Sequence, residues 1–251
     1  MKKYITIALL SAYSLTVTAQ KKMRSIDELI NRTDPGWNRV KQWIDSAKNP
    51  VEILPADTLK SKEELYKIQV TTRSPMGAII FMTGGLLVDH GWIRILGSGS
   101  LKLTRSLPEW NKEKTINGSG EAPPCLLIAD DVLGGFFLVN GGALGKDIGK
   151  VYYFSPDNLE YEPMDFTYTE FLLFCFNNDL DKYYQGYRWT NWKEEVAKLS
   201  GDQVFHFLPP LWSKEGKDFK KDTKAPVPIE EQYQFNRQMR QQLGLDAGEH
   251  K

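Results

Sequence analysis

The sequence predicts an α+β fold, in which an antiparallel sheet of short strands is flanked by helices. Segments with helical periodicity come first, short apolar segments separated by turn residues follow, and further helical segments come last. Consecutive short strands joined by Gly, Asn, Asp and Ser favour antiparallel pairing, because tight turns connect antiparallel neighbours. Helices that are separated from such a sheet along the chain are typical of the α+β class.

Residues 1–19 are predicted to form a secretory signal peptide. Lys2 and Lys3 precede an apolar run that closes on Ala19, a small residue suited to cleavage. The run is shorter than the roughly 20 apolar residues of a spanning helix, and no cysteine follows it to carry a lipid. We therefore expect a periplasmic or secreted protein that starts at Gln20 and has no membrane span after cleavage.

Helical signals dominate the segment that follows. A short helix is predicted at SIDELI (25–30), and Asp34-Pro35 starts an amphipathic helix over 35–48, because proline suits the first helical position. After an extended VEIL (51–54), Ser61 and Glu64 match a capping box that predicts the start of a third helix. The apolar run 76–83 suits a helix and a strand equally.

The sheet is predicted to begin with a hairpin. LLV (86–88) and WIRIL (92–96) flank Asp89-His90-Gly91, whose residue types suit a tight turn. Residues 97–124 are rich in Gly, Ser and Pro, which predicts a long surface connection with one helical turn near 108–111. Four further strands are predicted at CLLIA (125–129), FFLV (136–139), VYYF (151–154) and LEY (159–161).

Two more helices are predicted after the sheet. Thr167 and Glu170 form a capping box ahead of an apolar segment over 169–184, and another helix runs from Asn191 towards Gly201.

We expect residues 20–212 to form a single α+β globular domain. Residues 213–251 form a charged, partly ordered C-terminal extension in this prediction, with a short helix over 229–243. The chain has 32 basic and 32 acidic residues, and cleavage of the signal removes two lysines, which leaves a formal charge of −2. Nucleic-acid binding is not expected, because it depends on a basic surplus that neutralises phosphates.

Five blocks of the sequence resemble the domain-of-unknown-function 2625 family. They are DPGW (34–37), VEILP (51–55), QVTTRSPMGAI (69–79), GGLLVDHGWIRILGSG (84–99) and RSLPEWN (105–111). The resemblance covers most of the chain and implies no particular activity.

The stretches IADDVLGGFFLVNGG (128–142) and GKVYYFSPDNLEYEPMDFTYTEFL (149–172) also resemble the SUKH superfamily of α+β domains, which includes bacterial immunity proteins. The predicted signal peptide and the extra C-terminal region depart from that pattern.

Cys125 and Cys175 each lie in an apolar run. In an oxidising compartment they form a disulfide, or else they are two buried thiols, and the sequence does not separate these alternatives. The three histidines are scattered, with no spacing typical of a metal site. We therefore expect neither a metal nor a cofactor.

Two pairs of residues are candidates for catalysis. Asp130-Asp131 ends a strand, where paired carboxylates suit acid–base chemistry, and Asp89-His90 supplies a carboxylate beside an imidazole. Both pairs also have a structural interpretation, since aspartates begin turns and adjacent strand residues point to opposite faces of a sheet.

Trp92, Arg94, Arg105 and Trp110 are the candidate binding residues, because aromatic and arginine side chains near loops are enriched at interfaces. The sequence thus favours an exported binding or interaction module whose partner is a protein or an envelope ligand. One alternative is a hydrolase that acts on cell-envelope material through Asp89, His90 or Asp130. The other, implied by the SUKH resemblance, is an immunity-type protein that sequesters a toxin.

Overall fold

A computed structural model of the chain describes residues 23–116, 122–219 and 222–245. The predicted signal peptide lies outside these residues.

A seven-stranded antiparallel sheet forms the centre of the fold, and its spatial order follows the chain order from β1 to β7. The strands are β1 (Val51–Leu54), β2 (Gly85–Val88), β3 (Ile93–Leu96), β4 (Cys125–Asp131), β5 (Phe136–Asn140), β6 (Lys150–Phe154) and β7 (Tyr161–Thr167). A separate antiparallel pair consists of β8 (Gln203–Leu208) and β9 (Thr223–Pro228). The α+β class and the antiparallel sheet predicted from the sequence are confirmed.

The helices lie before, within and after the sheet in the chain. They are α1 (Ile26–Leu29), α2 (Trp37–Asp45), α3 (Thr58–Ile68), α4 (Pro75–Met82), α5 (Leu107–Asn111), α6 (Tyr168–Asn177), α7 (Leu180–Tyr183), α8 (Trp192–Val196) and α9 (Ile229–Gln242), with a 3-10 turn at Glu215–Lys217. Within the described part of the chain, none of these helices is long and apolar enough to cross a membrane.

Helix starts agree with the sequence at some positions and differ at others. The Thr167 and Glu170 capping box begins α6 as predicted. The predicted box at Ser61 and Glu64 is wrong, because the Asp57 carboxylate caps α3 one turn earlier. Glu64 is buried instead and accepts a hydrogen bond from Ser106 Oγ at 2.6 Å.

The β2–β3 hairpin has the turn that its residues predict. Gly91 N donates to Val88 O at 3.2 Å, and the two central residues, Asp89 and His90, have φ of 51° and 61°. Positive φ at both central positions defines a type I′ turn, whose twist matches that of the flanking strands. Short polar side chains such as Asp tolerate this conformation better than branched ones.

Aromatic side chains fill the core beside the sheet. Phe136 and Phe154 stack with their ring centroids 6.4 Å apart, and Phe137 packs on Phe171 of α6 at 4.8 Å. All four rings are fully buried. The apolar segment after Thr167 therefore forms a helix buried against the sheet, as predicted, although it is divided into α6 and α7.

The C-terminal segment is packed against the rest of the fold. β9 pairs with β8, which the sequence did not predict as a strand, and α9 follows directly. On α9, Asn236 Nδ2 donates to Gly134 O at 3.0 Å, and Arg240 Nη1 donates to Leu159 O at 2.6 Å. Polar side chains make much of this contact, which explains why the segment has so few large apolar residues.

Cys125 and Cys175 do not form a disulfide with each other. Cys175 is fully buried, whereas Cys125 is partly exposed at the start of β4. Of the two alternatives left open by the sequence, the structure therefore has no disulfide, and the Cys125 thiol is less buried than expected.

Candidate functional site

A concave groove of about 760 Å³, which we call the basic groove, lies against the first three strands of the sheet. One face of β1–β3 forms its floor, and α8 with the loop behind it forms one wall. Its lining is Pro50, Val51, Glu52, Leu87, His90, Gly91, Arg94, Leu101, Lys102, Lys193, Val196, Ala197, Lys198, Leu199, Ser200 and Gly201. The volume lies in the range of roughly 300–1,000 Å³ that is usual for small-molecule sites.

Cross-strand pairing determines the floor of the groove. Glu52 pairs with Leu87, and Leu87 pairs with Arg94 across β1, β2 and β3. Directly paired residues of an antiparallel sheet point to the same face, so these three side chains form one row. The pairing continues from Arg94 to Asp130 on β4.

The wall behind α8 is held by a set of short hydrogen bonds. Gly201 N donates to Lys102 O at 2.7 Å, and Arg105 Nη2 donates to Gly201 O at the same distance. Arg105 Nε also reaches Asp202 Oδ1 at 2.9 Å. Backbone and guanidinium contacts within the protein therefore shape this wall of the groove.

The rim of the groove is cationic. Lys102 is ion-paired with Glu52, which is the single acidic residue of the lining. Lys193 and Lys198 are exposed and have no carboxylate partner within the described residues. Leu101 at the rim is fully exposed.

A buried ionic network lies beneath the floor. Asp130 accepts hydrogen bonds from Arg94 Nε at 2.6 Å on one oxygen and from Arg105 Nη1 at 2.7 Å on the other. Arg94 and Asp130 are almost fully buried, and Arg105 is 10% exposed. Asp130 is therefore the counterion of two arginines, a structural role that leaves neither oxygen oriented towards a substrate.

Asp131 points to the opposite face of the sheet, as the alternation of a strand requires. One of its oxygens accepts from Leu133 N and Gly135 N, both at 3.0 Å, and the other accepts from the Tyr153 and Tyr184 hydroxyls at 2.7 and 3.0 Å. Complete burial raises the pKa of Asp131, although the hydrogen bonds from Tyr153 and Gly135 act to lower it. Asp130 and Asp131 do not form a carboxylate pair.

Asp89 and His90 also separate. Asp89 is buried and ion-paired with Arg188, whose guanidinium lies 4.6 Å above the Trp92 ring and 4.1 Å from the Trp192 ring. His90 is exposed at the rim of the basic groove, with its ring edge against Trp192 at 5.9 Å. Within the described residues no carboxylate orients His90, so the catalytic arrangement proposed from the sequence is not assembled.

Three of the four predicted binding residues, Trp92, Arg94 and Trp110, are buried, and Arg105 is partly buried. Trp92 is fully buried and anchors α8 through Trp192, with ring centroids 5.1 Å apart. Trp110 is 5% exposed, and Arg105 and Lys114 lie over its ring at 4.6 and 4.2 Å. The expected exposure of Trp92, Arg94 and Trp110 is therefore wrong, because neighbouring side chains cover them, whereas their role in binding stays a prediction.

Sequence reasoning missed the lysines of the groove. Lys193 lies on α8 and Lys198 follows it, roughly 100 to 140 positions along the chain from the strands that form the floor. Their proximity to the floor depends on tertiary packing. Arg94 gave a usable signal, because an arginine inside the apolar strand WIRIL needs a buried counterion. No group of three His, Cys, Asp or Glu suited to a metal ion occurs in the part of the chain that the structure describes.

The comparisons with known proteins identify a family. A family model described as "Protein of unknown function DUF2625" matches residues 26–232. The chain is 45% identical over 214 residues to an uncharacterized protein of Haemophilus influenzae, which covers 85% of this chain and 94% of that relative. It is 40% identical over 221 residues to the putative uncharacterized protein YbfG of Escherichia coli K12, and the match covers 87% of this chain and 98% of that relative. No solved structure matches, and the SUKH resemblance stays a prediction. The chain belongs to the DUF2625 family.

Proposed function

We propose that this protein acts by binding a ligand in the basic groove and not by catalysis. The observation that carries the proposal is a concave site of about 760 Å³. The candidate carboxylates support it as well: Asp89, Asp130 and Asp131 are each satisfied by arginines or by hydroxyl and backbone donors. A general acid or base needs an atom within reach of a substrate, and these carboxylates offer none.

Export is part of the proposal. The lysines, the apolar run and Ala19 at the start of the chain support a secretory signal, so the ligand is expected in the periplasm or outside the cell.

A fragment titration tests the binding site directly. Small organic fragments are added to the ¹⁵N-labelled protein, and amide shifts are mapped onto the structure. We expect shifts that cluster at Leu87, Gly91 and Leu199 and that disappear in Ala197→Trp, which fills the groove. Fragments that cluster elsewhere, or that still bind Ala197→Trp, would refute the site.

The hydrolase alternative makes a different prediction. Turnover of an envelope substrate would be lost in His90→Ala, whereas fragment binding in the groove should survive that change, because the His90 ring lies at the rim.

A further inference from the structure

We infer that the ligand of the basic groove is a small organic anion with an apolar body, an inference that rests on the proposed function. Its acidic group would lie at Lys193 and Lys198, and its apolar part would lie against Leu87 and Leu199.

The lining of the basic groove has more cationic than anionic side chains. Four Lys or Arg residues line the groove against one acidic residue, Glu52, although the chain as a whole has equal numbers of basic and acidic residues. Two of the four are neutralised within the protein, Arg94 by Asp130 and Lys102 by Glu52. Lys193 and Lys198 have no carboxylate partner within the described residues, so the groove carries a local positive charge that an anion would neutralise.

The surroundings of these lysines do not cancel that charge. Glu195 lies on the same helix as Lys193, but its carboxylate is paired with Lys224 at 3.0 Å. Asp202, behind the groove wall, is paired with Arg105 at 2.9 Å. These two carboxylates are thus paired with other cations. Glu194, next to Lys193 in the chain, is exposed and is not part of the lining of the groove, whereas the His90 ring adds a polar group at the rim.

The remaining lining is largely apolar. Leu87 supplies the floor, and Val196, Ala197 and Leu199 supply the wall, while Leu101 stands fully exposed beside the opening. An apolar group that covered Leu101 and the apolar wall would remove their surface from water, which is favourable. A simple inorganic anion would leave this surface unused. The combination of charge and apolar lining therefore favours an organic anion.

A matched pair of fluorescent probes tests the inference. 1-Anilinonaphthalene-8-sulfonate carries an aromatic body and a sulfonate, and N-phenyl-1-naphthylamine has the same body without the charge. Dissociation constants of both are measured by fluorescence titration, with ¹⁵N amide shifts to locate each probe. The proteins are the wild type, the Lys193→Gln/Lys198→Gln double variant, Ala197→Trp, and the control Lys146→Gln/Lys182→Gln, which removes two exposed lysines outside the groove.

We expect the double variant to weaken the sulfonate probe roughly five- to tenfold, as for the loss of one charge contact at about 4 Å in a water-like medium. The neutral probe should change less than about twofold, and the control should bind both probes like the wild type. Added salt should reproduce the loss for the sulfonate probe only, because it screens exposed charges.

Two outcomes would separate the inference from the proposed function. If Ala197→Trp abolishes both probes while Lys193→Gln/Lys198→Gln leaves the sulfonate probe unchanged, the groove binds ligands without preferring anions, and the inference fails alone. If Ala197→Trp changes neither probe, or the shifts lie outside the groove, the proposed function fails with it. Circular dichroism and thermal unfolding of every variant establish that each is folded.

Discussion

Arg105 donates from Nη1 to Asp130 Oδ2 at 2.7 Å, and this bond joins the buried centre of the sheet to the wall of the basic groove. The same guanidinium holds Gly201 O and Asp202, so the strand β4 and the loop behind α8 share one side chain. The groove therefore depends on charges buried beneath it.

The first prediction concerns Asp130. Asp130→Ala should lower the free energy of unfolding by about 3–5 kcal/mol, because it leaves Arg94 and Arg105 without their shared counterion. Urea denaturation of the two proteins measures the difference. Glu52→Gln is the control, since it breaks the exposed pair with Lys102 and should cost at most about 1 kcal/mol. Equal losses in the two variants would contradict the role assigned to Asp130.

The second prediction concerns Trp92. Trp92→Ala should lower the free energy of unfolding by about 3–5 kcal/mol, because the ring is fully buried between Tyr184, Trp189 and Trp192. Leu101→Ala, at a fully exposed side chain, should stay within about 0.5 kcal/mol. Thermal or urea unfolding of both variants and the wild type measures the two losses of stability. A Trp92→Ala protein as stable as the wild type would show that the aromatic cluster is not part of the core.

The third prediction concerns the C-terminal helix. Asn236→Ala should lower the free energy of unfolding by about 1–3 kcal/mol, because it leaves Gly134 O and the Gln232 amide without partners in a buried site. Gln234→Ala, on the exposed face of the same helix, is the matched control.

Limited proteolysis tests the same contact in a second way. If the chain is nicked by trypsin between β8 and β9, α9 should remain bound during gel filtration. Release of the C-terminal fragment from a folded core would contradict the docking.

The local elements could be predicted from the sequence where short-range rules decide them. The Asp89-His90-Gly91 turn and the Thr167 capping box depend on residues within four positions of each other, and both occur as predicted. The β8–β9 pair could not be predicted in this way. Its partners lie on either side of residues 209–222, and β9 contains Pro226 and Pro228, which usually argue against a strand.

The contacts between the residues of the site were harder to predict from the sequence than the local elements. The sequence indicates Arg94 as a binding residue and Asp130 as a catalytic residue, whereas the pairing of β3 with β4 makes them partners. The sequence places Trp110 in a long surface connection, because residues 97–124 are rich in Gly, Ser and Pro. The cations that cover its ring come from Arg105 and Lys114, and the sequence carries no sign of that packing.

The fourth prediction concerns pH and Asp131. Burial raises the pKa of Asp131, so the folded chain holds this proton more tightly than the unfolded chain. Its stabilising contribution is fully present below the unfolded pKa of about 3.9 and is lost as the pH rises through the folded pKa.

Asp131→Asn lacks this titration, and its amide suits both the backbone donors and the tyrosine hydroxyls. The unfolding free energy of the wild type relative to Asp131→Asn should therefore fall as the pH rises from about 4. Urea titrations of both proteins at several pH values measure the difference. A difference that grows with pH, or stays constant, would refute the assignment.

The fifth prediction concerns export, which the first 19 residues motivate. In its native host the main species should have the intact mass of a chain that starts at Gln20 and should occur outside the cytoplasm. Leu10→Arg should block export, because an arginine at the centre of an apolar segment costs about 2.5–3.5 kcal/mol on insertion. Lys22→Arg, beyond the proposed cleavage site, should be exported normally. Mass spectrometry of the cell fractions decides the question, and a full-length wild-type chain found mainly in the cytoplasm would mean that these residues are not a signal peptide.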